Sequence, residues 1–125
     1  RDLQAELGMS VIFITHDLGI IAEMADEVAV MYLGRIVEQC DVETLFYEPV
    51  HPYTRALLNS IPKVGTTPRT KLSAIEGTVP VPLNIGKGCG FYSRCKEAKE
   101  GLCNTEDPPM VEISPNHFVR CFLNE

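Results

Sequence analysis

Four cysteines after residue 88 are the side chains of this 125-residue chain best suited to chemistry. Their pattern is Cys89-x5-Cys95-x7-Cys103-x17-Cys121, and the fifth cysteine, Cys40, stands apart. Four thiolates can close a tetrahedral zinc site or ligate an iron–sulfur cluster. No C-x2-C hook of the kind common in zinc ribbons is present, so the wide spacing fits a loop-wrapped cluster at least as well as zinc.

Two other interpretations of the cysteines compete with a metal centre. Two disulfides are one of them, although an odd total of five cysteines does not suit a closed disulfide framework. Four unrelated buried thiols are the other, and the clustering after residue 88 argues against it. A short segment with little apolar surface to bury often needs a staple or a metal, which favours a shared site.

Histidines at element boundaries are the next candidates. His16 follows the apolar run 10–15, and ligands of open α/β sheets bind at the carboxyl ends of strands. His51 comes just before a proline and can cap the helix that follows. Considered alone, both are more typical of capping or packing residues. His117 is either a hydrogen-bond donor to a metal ligand or a surface residue, and the latter is favoured; Cys40 is interpreted as a small half-buried side chain.

The elements that must position these residues alternate between strand and helix as far as residue 61. The run 10–15 (S-V-I-F-I-T) is continuously apolar and β-branched, which predicts a strand buried on both faces of a parallel sheet. The other predicted elements are helices over 1–7, 17–25, 41–47 and 52–60, and strands over 27–33 and 35–39 that turn at Gly34. Prolines and glycines from 63 to 88 predict loop, with a strand near 72–75.

The composition excludes several classes of protein. Eleven Lys and Arg against seventeen Asp and Glu give a net charge of −6, which argues against a general nucleic-acid surface. The longest apolar run, 28–33, is too short to span a bilayer, and no secretory signal opens the sequence. The first residue is arginine, so we expect a piece of a longer protein.

Two strings in the first half resemble the ATP-binding subunits of ABC transporters, and more closely those that drive oligopeptide and dipeptide import. The first is I-F-I-T-H-D-L-G, followed by A-E-M-A-D-E-V-A-V-M-Y and G-R-I-V-E. The second, H-P-Y-T-R-A-L-L at 51–58, is similar to the start of the C-terminal extension of the peptide importers. The resemblance implies an α/β fold: the C-terminal part of a P-loop (RecA-like) ABC ATPase core over 1–47, then a small loop-rich Cys-cluster extension over 48–125.

The resemblance also implies a catalytic role for His16. It makes His16 the switch-loop histidine, which contacts the γ-phosphate of ATP and helps to position the attacking water. The phosphate loop G-x-x-x-x-G-K-[ST], the signature motif and a Walker B carboxylate do not occur in these 125 residues. Mg-ATP is therefore expected as a cofactor of the full-length parent only, and the fragment by itself is expected to be inactive.

In the same family the cysteine motif holds a [4Fe-4S] cluster, and the resemblance implies that role for four residues of this chain. The implied ligands are Cys89, Cys95, Cys103 and Cys121. In aerobic material we expect the cluster to be lost or replaced by zinc. A structural role for the cluster is favoured over redox regulation. Phe122 stands where the family often has histidine, which leaves the four thiolates intact.

The resemblance implies protein partners rather than nucleic acid. These are a second ATPase subunit and transmembrane permease subunits, at the cytoplasmic face of a prokaryotic membrane. Separated from its parent sheet, the fragment is expected to expose strand edges and to self-associate. The competing interpretation is a stand-alone zinc-binding interaction module. The apolar runs 11–14 and 27–33 argue against it, because they need packing partners.

Overall fold

The computed structural model describes residues 2–61, 75–81 and 86–124. Its helices are α1 (Asp2–Leu7), α2 (Leu18–Met24), α3 (Val42–Tyr47) and α4 (Pro52–Asn59). Its strands are β1 (Glu27–Tyr32), β2 (Arg35–Asp41), β3 (Met110–Ser114) and β4 (His117–Arg120), and single 3-10 turns cover Tyr92–Arg94 and Phe122–Asn124. The strand predicted near 72–75 lies outside the described residues except for Ile75. No helix in these ranges is long and apolar enough to cross a membrane.

The four strands form one antiparallel sheet in the order β1-β2-β4-β3. β2 pairs with β4 through Glu38 opposite Val119 and Gln39 opposite Phe118. The parallel sheet predicted for the strand at 10–15 does not form in the described residues, because that segment is not in the sheet and all three strand pairs present are antiparallel. The predicted boundary between residues 47 and 48 stays a prediction, although this sheet joins strands from both sides of it.

The β1–β2 hairpin forms as the sequence predicts. Leu33 and Gly34 have φ of +47° and +76°, which is the pattern of a two-residue turn whose twist matches that of the strands. Along β1 the apolar side chains alternate with exposed ones, so that Val28, Val30 and Tyr32 are buried. This face of the hairpin supplies much of the core on which the cysteine loops rest.

Side-chain caps begin three of the four helices, as the sequence predicts. The Asp17 carboxylate accepts from the N–H of Gly19 at 2.9 Å at the start of α2. The Asp41 carboxylate accepts from the N–H of Thr44 at 2.9 Å at the start of α3. His51 does the same for α4. Each cap satisfies a backbone donor that the first helical turn leaves free.

The buried strand predicted at 10–15 is wrong for this structure. The segment belongs to no sheet, and Ile12 and Ile14 are 90% and 98% exposed. An apolar run of this kind needs a strand beside it and cover on both faces. The described residues provide neither, so the segment has no regular secondary structure and is open to solvent.

The β3–β4 hairpin was not predicted. Its turn is Pro115-Asn116, with Asn116 at φ +60°, a conformation that asparagine tolerates. Along β4 the side chains of His117 and Val119 are buried while their neighbours are half-buried. The sequence does contain a signal for this hairpin, the alternation of apolar and polar residues on either side of Pro-Asn. It was not used because the cysteine-rich region was expected to consist of loops.

Candidate metal centre

One cavity is lined by all four of the cysteines that follow residue 88. Cys103 and Cys121 are 9% and 8% exposed, whereas Cys89 and Cys95 are half-buried. None of them is in a disulfide, which removes the two-bridge interpretation for this structure. The structure therefore brings together the four residues that the sequence pattern grouped.

Backbone contacts at Gly88 join the loops of the first and third cysteines. The N–H of Cys89 donates to the carbonyl of Cys103 at 2.7 Å, and the N–H of Gly88 donates to the Asp107 carboxylate at 2.9 Å. Gly88 has φ +116°, and a Cβ there would lie 3.0 Å from the Cys103 carbonyl oxygen and 3.1 Å from Asn104. Glycine is required at this position because both its dihedral and the close approach exclude a side chain.

Backbone N–H groups stabilise the sulfurs of the cavity. At three cysteines the backbone N–H two residues further along lowers the pKa of the thiol: Phe91 for Cys89, Glu97 for Cys95 and Leu123 for Cys121. The N–H of Lys99 approaches the Sγ of Cys103 at 3.4 Å. Donors of this kind stabilise thiolate charge and the charge of a bound metal centre.

Burial raises the pKa of Cys89, Cys95 and Cys121 above the usual range of a thiol. The neighbouring thiols raise these values further, while the N–H donors lower them. The metal-free thiols are therefore protonated near neutral pH. A cation must displace those protons, so its apparent affinity rises with pH.

Phe91 anchors the first cysteine loop to the sheet. It is 3% exposed, and its ring centroid lies 5.3 Å from that of Tyr32 in an edge-on arrangement. The ring of Tyr53, on α4, completes the cluster at 5.4 Å from Phe91 and 4.7 Å from Tyr32. One aromatic side chain thus fixes the loop of Cys89 against both β1 and α4.

His51 also lines the cysteine cavity, and it is 1% exposed. Its Nδ1 accepts from the backbone N–H of Tyr53 at 3.0 Å, which confirms the predicted cap. Burial lowers the pKa of His51 to about 4. Local sequence patterns could not place this cap beside the cysteines, because they lie at least 38 positions further along the chain.

A second buried group surrounds Glu38, which is wholly buried. Its carboxylate accepts from the N–H groups of Val50 at 2.8 Å and His51 at 2.9 Å. The Nε2 of His117 lies 2.8 Å from the same carboxylate. His117 is 4% exposed, so its prediction as a surface residue is wrong: β4 turns it inward to pair with Glu38.

Cys40 is wholly buried beside that pair rather than half-buried as expected. Its sulfur and ligand atoms of Glu38 and His117 lie within 4.8 Å of one another, the only such trio that the described residues form. Burial and the nearby carboxylates raise the pKa of Cys40 to about 12, so the thiol keeps its proton. Both oxygens of Glu38 already accept hydrogen bonds, and the group is therefore a structural network joining β2, β4 and α4.

His16 is exposed just before α2 and does not line the cysteine cavity. It follows the open segment 10–15 and stands beside the Asp17 cap. Its contact with ATP stays a prediction.

The comparisons with known proteins agree on one family. A model described as the oligopeptide/dipeptide transporter, C-terminal region, matches residues 37–103. The oligopeptide transport ATP-binding protein AppD of Bacillus subtilis (strain 168) is 46% identical over 125 residues, which cover 100% of this chain and 38% of that protein. The dipeptide transport ATP-binding protein DppF of Haemophilus influenzae is 42% identical over 121 residues, 97% of this chain and 37% of that protein. The chain spans less than two fifths of the length of either relative.

Proposed function

The chain belongs to the oligopeptide/dipeptide transporter C-terminal region family, and from that membership we propose that it is the C-terminal portion of an ATP-binding subunit that powers ABC-type import of short peptides. The similarity to the two transport proteins over 97% and 100% of the chain supports the proposal. Its partners are then a second ATP-binding subunit and transmembrane permease subunits. Those partners hold the subunit at the cytoplasmic face of the membrane.

ATP hydrolysis belongs, in this proposal, to the whole subunit, in which His16 contacts the γ-phosphate. The 125 residues lack the phosphate loop that cradles a nucleotide and the carboxylate that positions magnesium. We therefore expect the chain alone neither to bind Mg-ATP tightly nor to hydrolyse it. Isothermal titration of the chain with Mg-ATP tests this, and sub-millimolar binding contradicts it.

We further propose that Cys89, Cys95, Cys103 and Cys121 ligate a [4Fe-4S] cluster. The observation that carries the proposal is their convergence, as free thiols with N–H donors, on one cavity.

The role that the fold favours for this cluster is structural. The first three ligands lie in loops between residues 86 and 108, and Cys121 directly follows β4. A four-ligand centre would fasten those loops to the sheet, in a region with few buried side chains of its own. Redox regulation is the competing role, in which the bound cluster exchanges one electron.

Replacing each cysteine in turn tests the ligand set. After anaerobic purification, we expect the wild-type chain to be brown and to contain iron and acid-labile sulfide. The variants Cys89→Ala, Cys95→Ala, Cys103→Ala and Cys121→Ala are expected to lose most of the iron, whereas Cys40→Ala keeps it. Full iron in any of the first four variants removes that residue from the ligand set. A colourless chain with one bound zinc contradicts the cluster and supports the zinc-binding module instead.

A further inference from the structure

The imidazole of His51 lines the cysteine cavity and carries one buried ring N–H. Its Nδ1 accepts from the N–H of Tyr53 at 3.0 Å, so this nitrogen carries no proton. In the neutral ring the proton is therefore on Nε2. Among the described residues, Nε2 has no hydrogen-bond partner, although the side chain is only 1% exposed.

The cap itself decides which nitrogen of His51 can donate. Because Nδ1 accepts from the N–H of Tyr53, the ring has one donor left, Nε2–H.

A buried N–H without an acceptor is unfavourable, and native proteins seldom contain one. The cavity beside His51 is lined by four sulfurs, which accept hydrogen bonds when they are thiolates or ligate a metal. The competing acceptor is the carbonyl of Arg120, immediately before Cys121, which acts on the ring but makes no hydrogen bond of ordinary geometry with it.

We propose that the Nε2–H of His51 donates a hydrogen bond to a sulfur of the metal–thiolate centre and raises its reduction potential. This inference rests on the cluster proposed above. One-electron reduction adds a negative charge to the centre, and a donor stabilises the more negative state more strongly. His51 is thus a positioning and tuning residue that joins α4 to the centre, rather than a ligand of it.

Two substitutions separate this hydrogen bond from the capping role of the same side chain. His51→Asn keeps a good N-cap acceptor but is too short to place a donor in the cavity. His51→Gln is longer and returns an amide N–H to about the position of Nε2. The whole chain is purified anaerobically in each form. Iron, acid-labile sulfide and the midpoint potential are then measured, with dithionite supplying the electron in a dye-mediated titration.

We expect His51→Asn to keep the iron and sulfide of the wild type and to be reduced less readily. The equilibrium constant for one-electron reduction is expected to fall about two- to tenfold, which at 59 mV per tenfold is a potential lower by roughly 20–60 mV. His51→Gln is expected to remain nearer the wild-type value. An unchanged potential in a fully loaded His51→Asn overturns the hydrogen bond and leaves the cluster proposal standing. A wild-type chain without iron and sulfide overturns the cluster, and this inference with it.

If His51→Asn fails to fold, a measurement on the wild-type chain still tests whether His51 donates a hydrogen bond to the centre. The chain is labelled with 15N-histidine, reduced, and examined by pulsed EPR. A hyperfine coupling to one histidine nitrogen, lost in His51→Gln, is the expected result. A loaded and reduced wild-type centre that shows no coupling to histidine overturns the inference.

Discussion

Glu38 shows how much a single residue contributes without touching the cysteine cavity. Its buried carboxylate accepts from two backbone N–H groups at the start of α4 and pairs with His117 on β4. The sequence could not reveal this role. The donors lie 12, 13 and 79 positions further along the chain, so only the fold brings them together.

Glu38→Gln is expected to destabilise the chain by about 2–4 kcal/mol, because an amide nitrogen would face backbone donors in a fully buried site. Glu27→Gln is the matched control. Glu27 is exposed and accepts from the side chain of Gln39, so its replacement is expected to change stability by less than about 0.5 kcal/mol. Urea unfolding measures both, and equal effects contradict the structural role of Glu38.

Because of Cys40, the stability of the folded chain is expected to fall as the pH becomes alkaline. Its thiol has a pKa of about 12 in the folded chain against 9.0 for the unperturbed group. Below about pH 9 the thiol is protonated in both the folded and the unfolded chain, so the contribution of Cys40 to stability is fully present. Above it the unfolded chain ionises first, so stability falls by up to about 1.4 kcal/mol per pH unit.

Comparing the wild type with Cys40→Ala isolates this titration, since the other cysteines are common to both. Between pH 8 and pH 10.5, under reducing conditions, the stability advantage of the wild type is expected to shrink by about 2 kcal/mol. Urea unfolding at each pH provides the measurement. A stability difference between the two forms that does not vary with pH would show that the Cys40 thiol is not buried as the structure indicates.

Individual elements were predictable wherever the signal is local. Asp17, Asp41 and His51 mark helix starts within a few residues, and Gly34 marks a two-residue turn. The segment 10–15 was mistaken because burial of a strand depends on neighbours that the local pattern does not contain. The β3–β4 hairpin was missed for a similar reason: its strands are short, and pairing with β2 is what stabilises them.

Phe91 tests how the cysteine loop is attached to these elements. Phe91→Ala removes a ring packed against Tyr32 and Tyr53 and is expected to lower the free energy of unfolding by about 3–5 kcal/mol. Tyr47→Ala is the control, because that aromatic ring is 80% exposed. Denaturant unfolding of the two variants gives the comparison. A loss below about 1 kcal/mol for Phe91→Ala indicates that the loop is attached by other contacts.

At the scale of the whole molecule, the family could be inferred from sequence because the resemblance runs through most of the chain. The grouping of four cysteines also followed from their spacing, and they line one cavity; their ligand role stays a prediction. The contribution of His51 to the same cavity did not follow, since it depends on how α4 packs against the cysteine loops. The open segment 10–15 leaves apolar side chains in solvent.

The chain alone is expected to self-associate through that segment, since a run of exposed apolar residues is prone to pair with another copy. Ile12→Lys and Ile14→Lys are expected to shift it toward monomer without lowering its stability, because these side chains are 90% and 98% exposed. Val81→Lys, at a position 74% exposed, is the control and is expected to leave association unchanged. Sedimentation velocity distinguishes these outcomes, and a monomeric wild type contradicts the prediction.

The composition of the metal centre tests the central claim most directly. Iron, zinc and acid-labile sulfide are to be measured in the same anaerobically purified sample of the wild-type chain. Sulfide is decisive because neither a zinc site nor a mononuclear iron site contains it. We predict about four iron atoms and about four sulfides per chain, with little zinc. One zinc per chain without sulfide is the result that would contradict a [4Fe-4S] cluster on Cys89, Cys95, Cys103 and Cys121.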